Sequence, residues 1–250
     1  MLIEPLLTQL QTLGLRGMSR ALEHQQRNPE VAALPFEDRL TLLLQHEHAE
    51  RQSTRLAQRL RWARLPQMAC VEDIDSKTAR GLERGRLTQL TDLAWVDQHL
   101  NVLLSGPTGV GKSYLACALA HQACRQDYSV RYFRVPRLTD ELLSAGAQQK
   151  RSAFFKLLAK ADLLVLDDFG LTPLAEPFKR DLLEIVDDRF DKKSTLIRSQ
   201  MPVAAWHAHL DDPTLVSTAI LDRLVHNAYQ IELKGESMRK RKPLERTTKT

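Results

Sequence analysis

The stretch LLSGPTGVGKSYLA, Leu103 to Ala116, runs from an apolar segment through a glycine-rich turn into a helical sequence. Its core, GPTGVGKS, fits the pattern G-x-x-x-x-G-K-[ST] at Gly106 to Ser113. Val102 to Leu104 enters it as a buried strand, and YLACALAHQAC leaves it as a helix. Gly106, Gly109 and Gly111 allow positive φ and close approach to an anion. The loop Gly106, Pro107, Thr108, Gly109, Val110, Gly111 therefore turns its backbone N–H groups toward phosphate oxygens at the start of the next helix. Lys112 reaches the β- and γ-phosphates, Ser113 offers Mg²⁺ a hydroxyl oxygen, and Tyr114 follows within the ATP-binding set. The plain alternative is a glycine-rich turn before a helix. Kinases, transporters, GTPases and motors share this grip, so it predicts a nucleotide without saying what the nucleotide drives.

The run DLLVLDDFG, Asp162 to Gly170, supplies the second half of the site. Strands of a parallel sheet are buried and ligands gather at their C-terminal ends, which brings Asp167 and Asp168 beside the phosphate loop. Asp167 is the expected Mg²⁺ partner, through a coordinated water; Asp168 is expected to orient and deprotonate an attacking water. An acid pair opening a turn is the other reading. A kinase excludes water from the γ-phosphate, so a residue dedicated to activating water points to an ATPase that hydrolyses ATP to ADP and phosphate.

Around these motifs, apolar or β-branched runs alternate with helical sequence: Val102–Leu104, Val130–Phe133, Leu163–Leu166, Thr195–Ile197 and Tyr229–Leu233. The alternation predicts an α/β fold with a five-stranded parallel sheet flanked by helices. Residues 1–66 carry no strand signal and read as a small all-α domain, with a long helix from Pro35 that stops before Pro66. Residues 67–100 read as a linker and lead-in helix to an ATPase domain over 67–235, and 236–250 as a basic tail.

Charge is segregated. Arg51, Arg55, Arg59, Arg61 and Arg64 contain no acid between them, and the tail from Lys234 carries seven basic residues against Glu236 and Glu245. With +5 overall and +5 in each of these two segments, the remainder carries −5. Arg51, Arg55 and Arg59 recur at i, i+4 and i+8, on one helical face. That face is either solvated surface or a contact for DNA phosphates, and its single sign favours DNA. The N-terminus MLIEPLLTQLQTL lacks a signal-peptide pattern and no run is long enough to span a bilayer, so the expectation is a cytoplasmic protein without a membrane partner. Cys70, Cys117 and Cys124 lack metal-ligand spacing and read as small core residues. His46 and His48, like His207 and His209, lack the i, i+4 spacing of a shared metal face and read as surface. Trp62 reads as a packing residue, with base stacking as the alternative.

GPTGVGKSYLA, LLVLDDFG and AILDRLVHNAYQIELKGESMRK together closely resemble the IstB-type transposition ATPases of bacterial insertion sequences, a branch of the AAA+ initiator group that also holds the DnaC helicase loaders. The resemblance covers most of the chain; the last motif is the narrowest. It implies an AAA+ P-loop NTPase with a reduced or absent lid. It also implies that Arg223, in LDRL, is an arginine finger reaching the γ-phosphate of a neighbouring subunit, and that Arg239, in GESMR, is a sensor-2 arginine contacting the nucleotide in its own subunit. Gln200 falls at the sensor-1 position, where the family usually has Ser-Asn before a proline. Its longer stem puts placement of the attacking water in doubt, and Arg198 is an unexpected charge in a buried strand.

The combined expectation is an ATP- and Mg²⁺-dependent regulator that oligomerises on duplex DNA, with subunit-interface ATP sites, selects or remodels target DNA, and assists a partner transposase. Three rivals remain: a DnaC-like helicase loader, which would prefer single strands; a small-molecule kinase, whose turnover would ignore DNA; and an ATP-gated scaffold that does not hydrolyse.

Overall fold

The computed structural model describes residues 3–75, 81–210 and 215–238. Arg239 and the rest of the basic tail lie outside them. The chain divides into two compact units, Met1–Gln58 and Arg59–Thr250.

The first unit is helical: α1 (Glu4–Thr12), α2 (Arg16–Arg27), α3 (Pro29–Ala32) and most of α4 (Phe36–Ala63). Pro5 and Pro29 stand at helix starts, where a missing N–H costs nothing. Leu7, Leu10 and Leu22 form its small core, with Leu43 of α4 packed against them. Gly17 lets α2 and α4 meet backbone to backbone, since a Cβ there would lie 2.6 Å from Glu47 Cα. At that contact the N–H groups of Gly17 and Met18 donate to the Glu47 carboxylate at 2.8 and 3.1 Å. Burial works to raise the Glu47 carboxyl, but the bonds from Arg51, Met18 and Gly17 outweigh it and hold it below the usual range.

The second unit opens with α5 (Arg84–Thr91) and α6 (Ala94–Asp97), after a short 3-10 turn at Val71–Asp73. Then strands and helices alternate: β1 (Asn101–Ser105), α7 (Lys112–Arg125), β2 (Val130–Arg134), α8 (Val135–Ala147), α9 (Arg151–Lys160), β3 (Leu163–Phe169), α10 (Glu176–Arg189), β4 (Ser194–Ser199), α11 (Trp206–His209), α12 (Leu215–Val225) and β5 (Ala228–Glu232). All pairings are parallel and the order is β2-β3-β4-β1-β5. Each anticipated strand is present within a few residues of its expected bounds. β1, β3 and β4 are buried along their whole length, as strands covered on both faces must be. Leu103, Leu164, Leu166 and Ile197 of the sheet pack with Phe178, Leu182, Trp206 and Leu221 in the main core. α7 is also buried almost all round, and Cys117 and Cys124 are free thiols within it, raised by burial to about 11. No helix among the described residues is long and apolar enough to cross a membrane.

Candidate functional site

Because every strand is parallel, the C-terminal ends of β1 to β4 lie along one edge of the sheet, and the registers say which residues meet there. Arg134 pairs with Asp167 across β2 and β3, and Leu104, two residues before Gly106, pairs with Arg198 across β1 and β4. The phosphate loop, the acid pair and the sensor-1 segment are thus neighbours although residues 106 and 200 are far apart in sequence.

The loop has the geometry its glycines predict. Gly106, Gly109 and Gly111 have φ of 132°, 91° and 96°, in the region that a side chain rarely adopts. Lys112 opens α7 and is only 2% exposed. Its Nζ donates to the carbonyls of Gly106 and Pro107 at 2.5 and 2.7 Å, so the cation lies folded under the loop. Desolvation lowers its pKa to about 8; the charge of Arg198 adds to this and Asp167 and Asp168 oppose it. Ser113 and Tyr114 follow in the first turn, half-buried. Thr108 Oγ1 donates to Gln200 Oε1 at 2.9 Å, a direct tie between the loop and the sensor-1 position.

Residues 233–238 also close on this loop. Leu233 N donates to Ser105 O at 2.8 Å and Met238 N to Gly109 O at 2.9 Å. A Cβ on Gly106 would strike the Leu233 carbonyl, and one on Gly109 would strike Ser237. Two loop glycines therefore serve the approach of residues 233–238 as well as the curvature of the loop.

At the end of β3, the ladder with β4 is irregular between Leu166 and Phe169, and Asp168 takes φ 58°, a left-handed conformation that Asp tolerates better than most residues. This kink carries both carboxylates to the edge at 5% and 7% exposure. Both are heavily engaged. Asp167 accepts from Tyr132 Oη, from Asp168 N at 2.7 Å and from Arg198 at 2.9 Å. Asp168 pairs with Arg198 through Oδ1 and with Arg134 through Oδ2, the latter at 2.6 Å. Arg198 is 8% exposed and finds in this pair the counter-charge that explains an arginine in a buried strand. Tyr132 and Arg134 were not anticipated. Position at the C-terminal end of β2, the strand next to β3, was the signal that would have found them.

Arg223 lies elsewhere. Asn101 Nδ2, at the start of β1, donates to the carbonyls of Arg223 and Leu224 at 3.2 and 3.3 Å. β1 then runs five residues to the loop, roughly 16 Å at about 3.3 Å per residue. The Arg223 guanidinium pairs with Asp187 of α10 and donates to Ala219 O at 3.0 Å.

The arginine series is less free than its sequence suggests. Arg51 pairs with Glu47 at 2.6 Å, Arg59 with Asp127 at 2.6 Å and Arg64 with Glu141 at 3.7 Å. Arg55 and Arg61 are exposed and have no ion pair among the described residues. Trp62 corrects its sequence reading: it is 51% exposed rather than packed, with the Arg131 guanidinium 5.8 Å from its ring centre. His46 and His48 are exposed, and no cluster of potential metal ligands of the His, Cys, Asp or Glu type occurs among the described residues.

A phosphate loop on β1, an acid pair on β3 and a polar sensor-1 segment on β4, in a sheet ordered β2-β3-β4-β1-β5, define an AAA+ type P-loop fold. Two solved structures share it. The DnaI structure is 24% identical with a TM-score of 0.57, covering 71% of this chain and 92% of that one. The DnaC helicase loader is 18% identical with a TM-score of 0.56, covering 66% and 97%. At these identities the likeness is one of fold. The sequence is more specific: residues 8–246 match the model of the IstB-like ATP binding proteins, and the chain belongs to that family. An insertion sequence ATP-binding protein of Sinorhizobium fredii, y4pL, is 47% identical over 240 residues, 96% of this chain and 98% of that protein.

Proposed function

We propose that this protein hydrolyses ATP to control its own assembly on duplex DNA, and that the assembly selects or remodels target DNA for a partner transposase. The observation that carries the reading is the meeting of Lys112, Asp167 and Asp168 at one edge of the sheet. Membership of the IstB-like family and full-length similarity to an insertion sequence ATP-binding protein supply the biological setting.

The donors at the edge suit ATP with Mg²⁺. The positive φ of Gly106, Gly109 and Gly111 curves the loop as a phosphate cradle needs, and Ser113 and Asp167 offer hard oxygen ligands. When bound, the ion neutralises charge on the β- and γ-phosphate oxygens. Lys112 would hold the phosphates as a buried cation, and Gln200, tied to Thr108 in the loop, is the residue proposed to bond the γ-phosphate. Asp168 orients the attacking water and accepts its proton. Its Oδ2 accepts from both Nε and an Nη of Arg134 and its Oδ1 from Arg198, so it takes a proton more readily once an arginine withdraws. Arg134, with a side chain 55% exposed, is the freer; the side chain of Arg198 is 10% exposed. Release of Arg134 would therefore speed hydrolysis.

Arg223 acts on a neighbour. With its backbone at the far end of β1 from the loop, an arginine side chain, at most about 7 Å long, cannot bridge the roughly 16 Å to its own Lys112. In an oligomer it would exchange Asp187 for the γ-phosphate of the next subunit. Arg239 is the proposed contact within the same subunit. Arg51, Arg55, Arg59, Arg61 and Arg64 meet DNA phosphates, with Arg55 and Arg61 the readiest because they have no ion pair among the described residues to exchange. Contacts of this type give weak sequence preference and steep salt dependence.

Imaging of the purified protein with duplex DNA tests the proposal: a discrete protein–DNA assembly forms with a non-hydrolysable ATP analogue and not with ADP. Isolated monomers with both nucleotides would refute it. The fold likeness to the DnaC loader keeps one rival, for which single-stranded DNA should bind better than duplex.

The protonation state of Lys112 gives a further expectation. The charged ammonium attracts phosphate and its pKa is lowered to about 8, so ATP affinity falls as pH rises through that value. Phosphate favours the charged form, so ATP binding near pH 8 takes up protons. Calorimetric titration in buffers of different ionisation enthalpy measures this uptake; the same affinity at pH 7 and pH 9 would contradict it.

A further inference from the structure

At the β2 edge of the sheet, within the second unit, lies a groove of about 390 Å³ whose lining includes Arg59, Trp62, Arg131, Lys156 and Lys160. It lies by the first residues of β2, at the other end of that strand from Arg134, and so is separate from the nucleotide site. No acid lines it. Lys156 and Lys160 are exposed and stand one turn apart on α9, about 6 Å along the axis. They and Arg131 have no ion pair among the described residues. Arg59 keeps its bond to Asp127, and Asp162, close by, is taken up by Ser129 and Lys193.

Arg131 is positioned rather than loose. Its NH1 donates to Trp62 O at 2.6 Å and its guanidinium lies over the Trp62 ring. Burial, with the charge of Arg64 added, lowers its pKa. A solvated surface usually mixes charges, whereas this groove sets Arg131, Lys156 and Lys160, with no ion pair among the described residues, beside a half-exposed tryptophan. A row of cations beside an aromatic ring matches a sugar-phosphate backbone, which presents regularly spaced negative charge flanked by flat bases.

We propose that this groove binds the sugar-phosphate backbone of DNA and that Trp62 is covered when it does. The proposal rests on the DNA-binding reading above and adds to it a surface formed by β2 and α9, outside the arginine-rich helix.

The three tryptophans allow a direct test. Trp95 and Trp206 are 1% and 0% exposed, so quenching of fluorescence by acrylamide reports almost wholly on Trp62. Random-sequence duplex DNA should reduce quenching in the wild-type protein. The double variant Lys156→Gln, Lys160→Gln changes only exposed side chains and should fold normally. It should bind duplex about tenfold more weakly, with the plot of log affinity against log salt shallower by about 2, near 0.9 for each lost phosphate contact. If duplex binds but the variant keeps the wild-type slope, or Trp62 stays equally open to acrylamide, the groove is refuted and the DNA-binding reading stands. If no duplex binds at all, with or without ATP analogue, both fall.

Discussion

Replacing Lys112 with alanine is expected to abolish ATP-dependent assembly on DNA and to weaken ATP binding about 100-fold. Lys112 is the buried cation of the phosphate loop, and a bond between charged groups contributes about 1.5–3 kcal/mol, the upper end of which is about 100-fold in affinity. The fold should survive. The loop keeps the bond from Met238 N to Gly109 O and the bond from Thr108 to Gln200, and the sheet beneath it is untouched. Calorimetry with ATP reads the first effect, and a DNA mobility shift with and without nucleotide reads the second. Wild-type assembly by this variant would remove the phosphate loop from the mechanism.

Asp168→Asn is expected to separate binding from turnover. Asparagine fills the same volume but cannot take a proton, so hydrolysis should fall by about 10²- to 10⁴-fold while ATP still binds. Held in the ATP state, the DNA complex should dissociate more slowly than wild type. The substitution also weakens the pairing of buried Arg198, leaving Asp167 as its remaining anion, so some thermal stability is lost as well. Arg134→Gln separates the two effects: it keeps the Asp168–Arg198 pair and frees one carboxylate oxygen, and should make hydrolysis faster. Faster dissociation of the Asp168→Asn complex would contradict the role of Asp168 in release.

Much of the nucleotide-binding half could be read from the chain because it is written locally. The strand, loop and helix from Val102 to Cys124 are contiguous, and the five strands are short apolar runs because both faces of a parallel sheet are covered. What could not be read depends on register. Arg198 looked misplaced until β3 and β4 were aligned and the kink at Asp168 brought two carboxylates beneath it. Tyr132 and Arg134 became site residues only through the pairing of β2 with β3. The arginine series suffered the converse error. Counted along the sequence, Arg51 to Arg64 hold no acid, yet Glu47 comes from the preceding turn, while Asp127 and Glu141 come from far along the chain. Trp62 was misjudged for a similar reason, since its cationic neighbour, Arg131, stands on a strand 69 residues later.

The bonds from Leu233 to Ser105 and from Met238 to Gly109 also bear on how the protein is made. Synthesis runs from the N-terminus, so the loop from Gly106 to Ser113 leaves the ribosome long before the residues that brace it. Until β5 has joined β1 and the segment behind it has crossed the loop, the phosphate grip lacks one of its walls. A nascent chain therefore gains its finished nucleotide site only once residues 233–238 have been made and have reached the loop.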